Sequence, residues 1–151
     1  MKGREMKNRV LYATGSKESA KKVADAIAAG IAQAATPIEK QTAILGVNAL
    51  FIGCEVNESG KIKGKVRKIL QKLDSSEVKV VVGFATSSSG GASPKAEMKA
   101  ILDPKGIKVS DDEFLCKGSK AFGNRGCPTD ADLAKAREFS AKFLKGNRSS
   151  S

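Results

Sequence analysis

The chain has 151 residues, 40% of them hydrophobic, and sets 27 basic side chains against 16 acidic ones for a formal net charge of +11. Such a length and composition suit one folded domain and exclude a disordered chain; with no apolar run approaching ~18 residues, a membrane-spanning helix is excluded too. There is no histidine, so a His-based triad is excluded; the three cysteines, Cys54, Cys116 and Cys127, include no Cys-x-x-Cys pair, which argues against a zinc site or a disulfide framework.

The opening residues Met1-Lys2-Gly3-Arg4-Glu5 are charged and lead into no apolar stretch, so no secretory signal is expected and the expected compartment is the cytoplasm. Residues 1–8 read as a flexible extension, 9–145 as one domain and 146–151 as a polar, disordered tail. Arg9 to Ala13 reads as a short buried strand with Tyr12 in the core. Thr14-Gly15-Ser16-Lys17-Glu18-Ser19 is a polar turn, after which Ala20, Val23, Ala24, Ile27 and Ile31 recur at helical spacing. Gly30 is an awkward helix residue and marks fraying near the helix end. A short second strand is expected near Ile38 to Thr42, with Pro37 at an edge position. The link from there to the next strand is too short for a full helix.

Ala49 to Ile52 is a third strand, continuously apolar as parallel strands are. Gly53 comes next, and Cys54 to Gly60 reads as a loop. Ile62, Val66, Ile69, Leu70 and Leu73 form one helical stripe, opposite Lys61, Lys63, Lys65, Arg67, Lys68 and Lys72. Val78 to Phe84 is the strongest strand of the chain and runs into a flexible polar loop, Thr86 to Gly91. Ser93-Pro94 has the chemistry of a helix start. Ile107 to Val109 and Glu113 to Cys116 are both candidates for a fifth strand. Thr129-Asp130-Ala131-Asp132 is patterned as a capping box with aspartate in the glutamate place, opening a last helix that carries Leu133, Ala136, Phe139 and Phe143.

Strands alternating with helices predict an α/β fold: a doubly wound, five-stranded parallel sheet with helices on both faces, a three-layer sandwich. In such a sheet ligands sit beyond the carboxyl ends of the strands, where the strand order switches. Three Gly/Ser/Thr-rich loops fall on that edge: Thr14 to Ser19, Gly53 to Gly60 and Ala85 to Ala92. Small residues let backbone N–H groups approach an anion, hydroxyls add donors, and a helix N-terminus favours negative charge. That is a recipe for a phosphomonoester.

From Arg9 to Leu144 the chain resembles the flavodoxin family. The segment Val10-Leu11-Tyr12-Ala13-Thr14-Gly15-Ser16 to Ile27 is similar to its first strand, phosphate loop and helix. Ala49 to Gly53 with Gly60-Lys61-Ile62, and Phe84-Ala85-Thr86 with Ser88 to Gly91, are similar to the segments around its second and third flavin loops. Glu113 to Gly118, Gly126-Cys127-Pro128 and Asp132-Leu133 with Ala136 are similar to its closing segment. The resemblance implies FMN held noncovalently, the phosphate on Thr14, Gly15, Ser16, Lys17 and Ser19. The flavin ring would lie between Cys54, Val56 and Asn57 on one side and Thr86, Ser87, Ser88, Ser89, Gly90 and Gly91 on the other. It implies electron transfer or a small flavin-dependent redox reaction, with no catalytic side chain and no metal. The basic charge calls for a redox partner whose docking face is acidic or neutral.

The second loop and the third offer no aromatic to stack on a flavin, and Lys17-Glu18 stands where small residues are expected. Those features suit an alternative: a docking module of the same fold that has lost tight flavin binding. Nucleic-acid binding is not expected, because aromatics are only 5% and do not interleave with basic residues. No Gly-x-Ser-x-Gly elbow and no histidine base support hydrolysis.

Overall fold

The computed structural model describes residues 7–13, 18–40, 43–118 and 127–149. Six strands, β1 (Lys7–Tyr12), β2 (Ala35–Pro37), β3 (Val47–Glu55), β4 (Val78–Ser87), β5 (Lys108–Val109) and β6 (Phe114–Lys117), form one sheet in which every pairing is parallel. The order is β2-β1-β3-β4-β5, with β6 also on β4. This is the expected doubly wound sheet. Both candidates for the fifth strand are used: β5 pairs with Val80 and Val81, and β6 with Phe84 to Ser87, so two short strands share one position beside β4. The polar stretch Ser110 to Glu113 separates them. Ser110 donates its N–H to Val81 O at 2.8 Å and then turns the chain, its hydroxyl accepting the Asp112 N–H at 3.0 Å.

Alternation along the strands sorts side chains to two faces. Val10, Tyr12, Phe51, Val82 and Phe84 pack under α1 (Ser19–Gly30) and α4 (Asp130–Ser149). Leu11, Leu50, Ile52, Val81 and Ala85 pack under α2 (Gly64–Lys72) and α3 (Lys95–Leu102). The helices bury the stripes their periodicity announces: Val23, Ala24 and Ile27 on α1, Val66 and Leu70 on α2, Met98 and Leu102 on α3, Ala136 on α4. Each fully buried Leu or Ile contributes about 1.5–3 kcal/mol by leaving water. Tyr12 is in the core, as expected. Thr129 and Asp132 form the reciprocal cap, Thr129 N–H to Asp132 Oδ2 at 2.9 Å and Asp132 N–H to Thr129 Oγ1 at 3.1 Å. From there α4 continues through Gly146 to Ser149, past the boundary placed at 145. No helix among the described residues is long and apolar enough to cross a membrane.

Further boundaries differ from the sequence reading: β1 begins at Lys7, paired with Val47, and not at Arg9, so Lys7 and Asn8 belong to the sheet and not to the extension placed at 1–8. The second strand lies at Ala35–Pro37, not Ile38–Thr42. Proline has no N–H for a ladder and tolerates an edge, which is where β2 sits, while Ile38 turns inward in a 3-10 turn (Ile38–Lys40) to cap the core. Thr42 lies outside the described residues. Gly53, Cys54 and Glu55 are the end of β3 rather than a loop, and Thr86 and Ser87 the end of β4. Both extensions are fixed by partners across the sheet: Cys54 by Ala85, Glu55 by Thr86, Ser87 by Lys117. Gly30 closes α1, but its role is contact and not fraying. A Cβ there would overlap Ser140 Oγ and the Arg137 carbonyl of α4, and Ser140, fully buried, donates its hydroxyl to Ile27 O at 2.7 Å.

Candidate functional site

Because the sheet is parallel, β1, β3, β4 and β6 all end at one edge, and the order switches between β1 and β3. Of the first loop, Thr14, Gly15, Ser16 and Lys17 lie outside the described residues. Glu18 stands ahead of α1, its side chain caps nothing, and the first turn of the helix carries no acidic residue. The positive end of the helix dipole faces this edge.

Ser19 opens α1 and is 2% exposed; Thr86 near the end of β4 is 1% exposed. A Cβ built on Gly118, just past β6, would lie 3.2 Å from Thr86 Oγ1 and 3.3 Å from Ser19 Cβ. Three elements distant in sequence therefore converge at one point under the edge. Thr86 Oγ1 is buried there without a hydrogen-bond partner among the described residues. An orphaned buried hydroxyl costs about 1–3 kcal/mol.

The second and third loops are built as one unit. Asn57 Oδ1 accepts from Ser59 N–H (3.0 Å), Ser59 Oγ (2.6 Å) and Lys61 N–H (3.2 Å), which folds the second loop on itself. Ser87 Oγ accepts from Gly90 N–H (3.0 Å) and Ala92 N–H (3.4 Å), and Ser89 Oγ from Gly91 N–H (3.2 Å), which shapes the third. The loops then meet. Ser89 N–H donates to Glu58 Oε2 at 3.2 Å, and Gly60, at φ +79°, lies so close to the Ser93 carbonyl that no Cβ fits. Ser93 in turn donates its hydroxyl to Glu113, 2.8 and 2.9 Å from its two carboxylate oxygens, and accepts the Lys95 N–H at 3.2 Å. Glu97 of α3 accepts the Ile62 N–H at 2.7 Å and pairs with Arg67, which anchors the exit of the second loop.

Of the residues singled out from the sequence, Ser19 and Thr86 come together beneath the switch point, while Asn57 and Ser87 to Gly91 form the paired loops. Ser88 and Gly91 are exposed at the rim. Cys54 and Val56 point elsewhere: both are buried in the core on the α2–α3 side. The sequence reading passed over Glu58 and Glu97, and it read Gly60, Ser93, Glu113 and Gly118 as parts of the resemblance or of a helix start, not as what organises the site. Their partners lie 20 to 35 positions away in the hydrogen bonds of Ser93, Glu58 and Glu97, so no local motif announces them.

Burial pushes the Cys54 thiol up, partly opposed by Lys63. Burial, then the Asp132 carboxylate and Cys127, push Cys116 up to about 12. Both thiols are free, as is the half-buried Cys127. Iodoacetamide at pH 8 is therefore expected to label Cys127 first, with Cys54 and Cys116 reacting only after denaturation; mass mapping of native label on Cys54 would contradict this. A raised folded pKa favours the neutral thiol. The stability it contributes is present below pH 9.0 and is lost as pH rises toward about 12.

No protein-family model matches the chain, and no curated protein matches it in sequence. Solved structures do match. An archaeal flavodoxin superposes over 93% of this chain and 98% of its own, with a TM-score of 0.71 and 20% identity. Flavodoxin 2 from Bacillus cereus covers 93% and 99% at a TM-score of 0.66 and 14% identity. A Streptococcus pneumonia flavodoxin covers 92% and 98% at 0.62 and 12% identity. At these identities the likeness establishes the fold.

Proposed function

Starting from a flavodoxin-like fold, we propose that this protein binds FMN noncovalently and carries electrons or supports a small flavin-dependent redox reaction. The observation that carries the reading is the convergence of the α1 N-terminus at buried Ser19, Gly118 and the Thr86 hydroxyl, which is buried without a hydrogen-bond partner among the described residues, at the carboxyl edge of the sheet. A polar anionic ligand at that edge would relieve the buried hydroxyl and meet the positive end of the α1 dipole. Thr14, Gly15, Ser16 and Ser19 would hold the phosphate, with Lys17 adding charge. Asn57 and the Thr86–Gly91 segment would flank the ring system. The flavin, when bound, supplies one- and two-electron chemistry; the protein supplies binding and orientation. The pairing of the second and third loops holds their positions in advance. A redox partner would meet this basic chain with an acidic or neutral face.

Titration of apoprotein with FMN, followed by quenching of flavin fluorescence, is expected to saturate in the micromolar range or tighter and to prefer FMN over riboflavin. Thr14→Ala with Ser16→Ala is expected to remove that preference. The absence of saturation up to millimolar FMN would sink the proposal. Thr86→Val makes a sharper test. Without ligand it removes a buried unsatisfied hydroxyl, so the apoprotein is expected to hold its stability or gain about 1 kcal/mol. FMN affinity is expected to fall in the same variant. A variant with lower apo stability would show that Thr86 is already satisfied.

A second reading, a docking module without flavin, is favoured by one observation: Glu58 and Gly60 draw the second loop directly onto the third, and neither carries an aromatic ring. The same titration separates the two readings.

A further inference from the structure

The chain passes from β2 across β1 to β3 in residues 38–46, with nothing longer than the Ile38–Lys40 turn among those described. Parallel strands are usually joined by a crossover of about a dozen residues or more, most often an α-helix. One flank of α2 packs on α3; on the other, the described element it meets is that turn. Two adjoining hollows run along this second flank. One, of about 340 Å³, lies among Ile44, Leu45, Ile69 and Leu73. The other, of about 200 Å³, lies between Ile38 and the ridge of Lys65 and Lys68. Ile69 and Lys72 line both, so they form one groove along the helix. Leu45 on its wall is 60% exposed, the one large hydrophobic side chain among the described residues in that state.

Lys65, Lys68 and Lys72 follow i, i+3, i+7 spacing and make a single ridge beside the groove. Lys65 reaches across it to Glu39 at 2.6 Å, while no carboxylate among the described residues pairs with Lys68 or Lys72. The segment 61–72 holds six basic residues and no acidic one. At the far end, Glu77 accepts the Gly46 N–H at 2.8 Å and Asp74 holds Ser76.

We propose that this groove docks a short acidic, amphipathic helix of a partner protein. Its apolar face would cover Leu45, Ile44 and Ile69, and its carboxylates would meet Lys68 and Lys72. Such a helix would take the place that a crossover helix has in other doubly wound sheets. At the C-terminal end of α2, Asp74 and Glu77 are offset by Lys72 and by Lys105, whose ammonium donates to Gln71 O at 2.9 Å, so among the described residues the unpaired charge that meets the partner is the ridge of Lys68 and Lys72. The nine residues of α2 span about 13 Å, enough for about two to three turns of partner. A concave, apolar floor with carboxylates at both ends suits a helix better than a flat anionic lipid surface.

The probe is a fluorescein-labelled, stapled peptide of about three helical turns with Leu on one face and Glu on the other, followed by anisotropy against the full chain. The experiment needs no flavin, so its outcome is separate from the flavin reading. Saturable binding is expected. Leu45→Ser, and separately Lys68→Glu with Lys72→Glu, are each expected to weaken it at least about tenfold. Lys108→Glu with Lys135→Glu removes the same charge elsewhere and is expected to change affinity less than about twofold. Equal losses in the two charge variants would reduce the effect to net-charge attraction and overturn the proposal. So would indifference to Leu45→Ser, absence of saturation, or stronger Leu45-dependent binding to phosphatidylserine vesicles than to the peptide. Circular dichroism melts of each variant show whether a lost signal is lost folding; Leu45→Ser, at an exposed position, keeps the test open if the lysine variants unfold.

Discussion

Gly30→Ala will destabilise the fold by about 1–3 kcal/mol, although glycine to alanine in a helix ordinarily gains about 0.5–1 kcal/mol. The sign reverses because the added methyl has no room. It would overlap the Ser140 hydroxyl and the Arg137 carbonyl, where α1 and α4 touch. Urea denaturation should show a lower midpoint with an unchanged slope. Ser140→Ala alone should also cost stability, since Ser140 donates to Ile27 O in a fully buried setting. In the double variant the hydroxyl clash is gone but the Arg137 carbonyl remains, so rescue is expected to be partial and the two effects non-additive. A neutral or stabilising Gly30→Ala would mean that the helices do not approach as closely as described.

Gly60→Val carries the second large effect, because two penalties act on one residue. Its φ of +79° belongs to the left-handed region, costing a β-branched side chain about 1–2 kcal/mol. Its Cβ would also run into the Ser93 carbonyl, which overpacking places at about 1–3 kcal/mol more. Backbone cannot move aside there cheaply, since Ser93 is tied to Glu113 and to the start of α3. The second and third loops should separate, and FMN affinity should fall at least tenfold if the flavin lies between them. Gly64→Ala, four residues on, meets nothing within 4 Å and serves as the control: it should be neutral or slightly stabilising. Thermal melts of the two variants and FMN titration of whatever remains folded at 25 °C would show the contrast; similar behaviour at both positions would refute it.

The fold was legible because its signals are local. Apolar runs at Val10–Ala13, Ala49–Ile52 and Val80–Phe84 read as strands buried on both faces, and the stripes of α1 and α2 repeat at 3.6 residues. The Thr129–Asp132 cap is local too, and the structure forms it. Strand ends were not legible. Glu55 and Ser87 have little intrinsic preference for extended structure, Cys54 and Thr86 sit beside small polar residues that read as loop, and paired neighbours across the sheet make all four strand. β2 has only three residues, too few to carry a period. At the carboxyl edge, composition located the small polar loops but not what organises them. Glu58, Glu97 and Glu113 read as ordinary surface charges until the fold brings backbone N–H and hydroxyl donors to them. Gly30 looked like a weak helix residue because a contact with α4, more than a hundred positions away, leaves no trace in its neighbours.

The broken fifth position beside β4 marks where this architecture tolerates growth. Between β5 and β6 the chain leaves the sheet at Ser110 and returns at Phe114, and Asp111 and Asp112 in between are exposed. Among the described residues, only Lys95 and Lys99, both through surface contacts, reach Asp111. A segment spliced in at that corner would displace no ladder hydrogen bond, and each doubling of the loop would add only about 0.6 kcal/mol of closure entropy. Two half-strands that already register independently on β4 need no direct splice between them. The corner is thus a natural port for a tag, a reporter or an added domain.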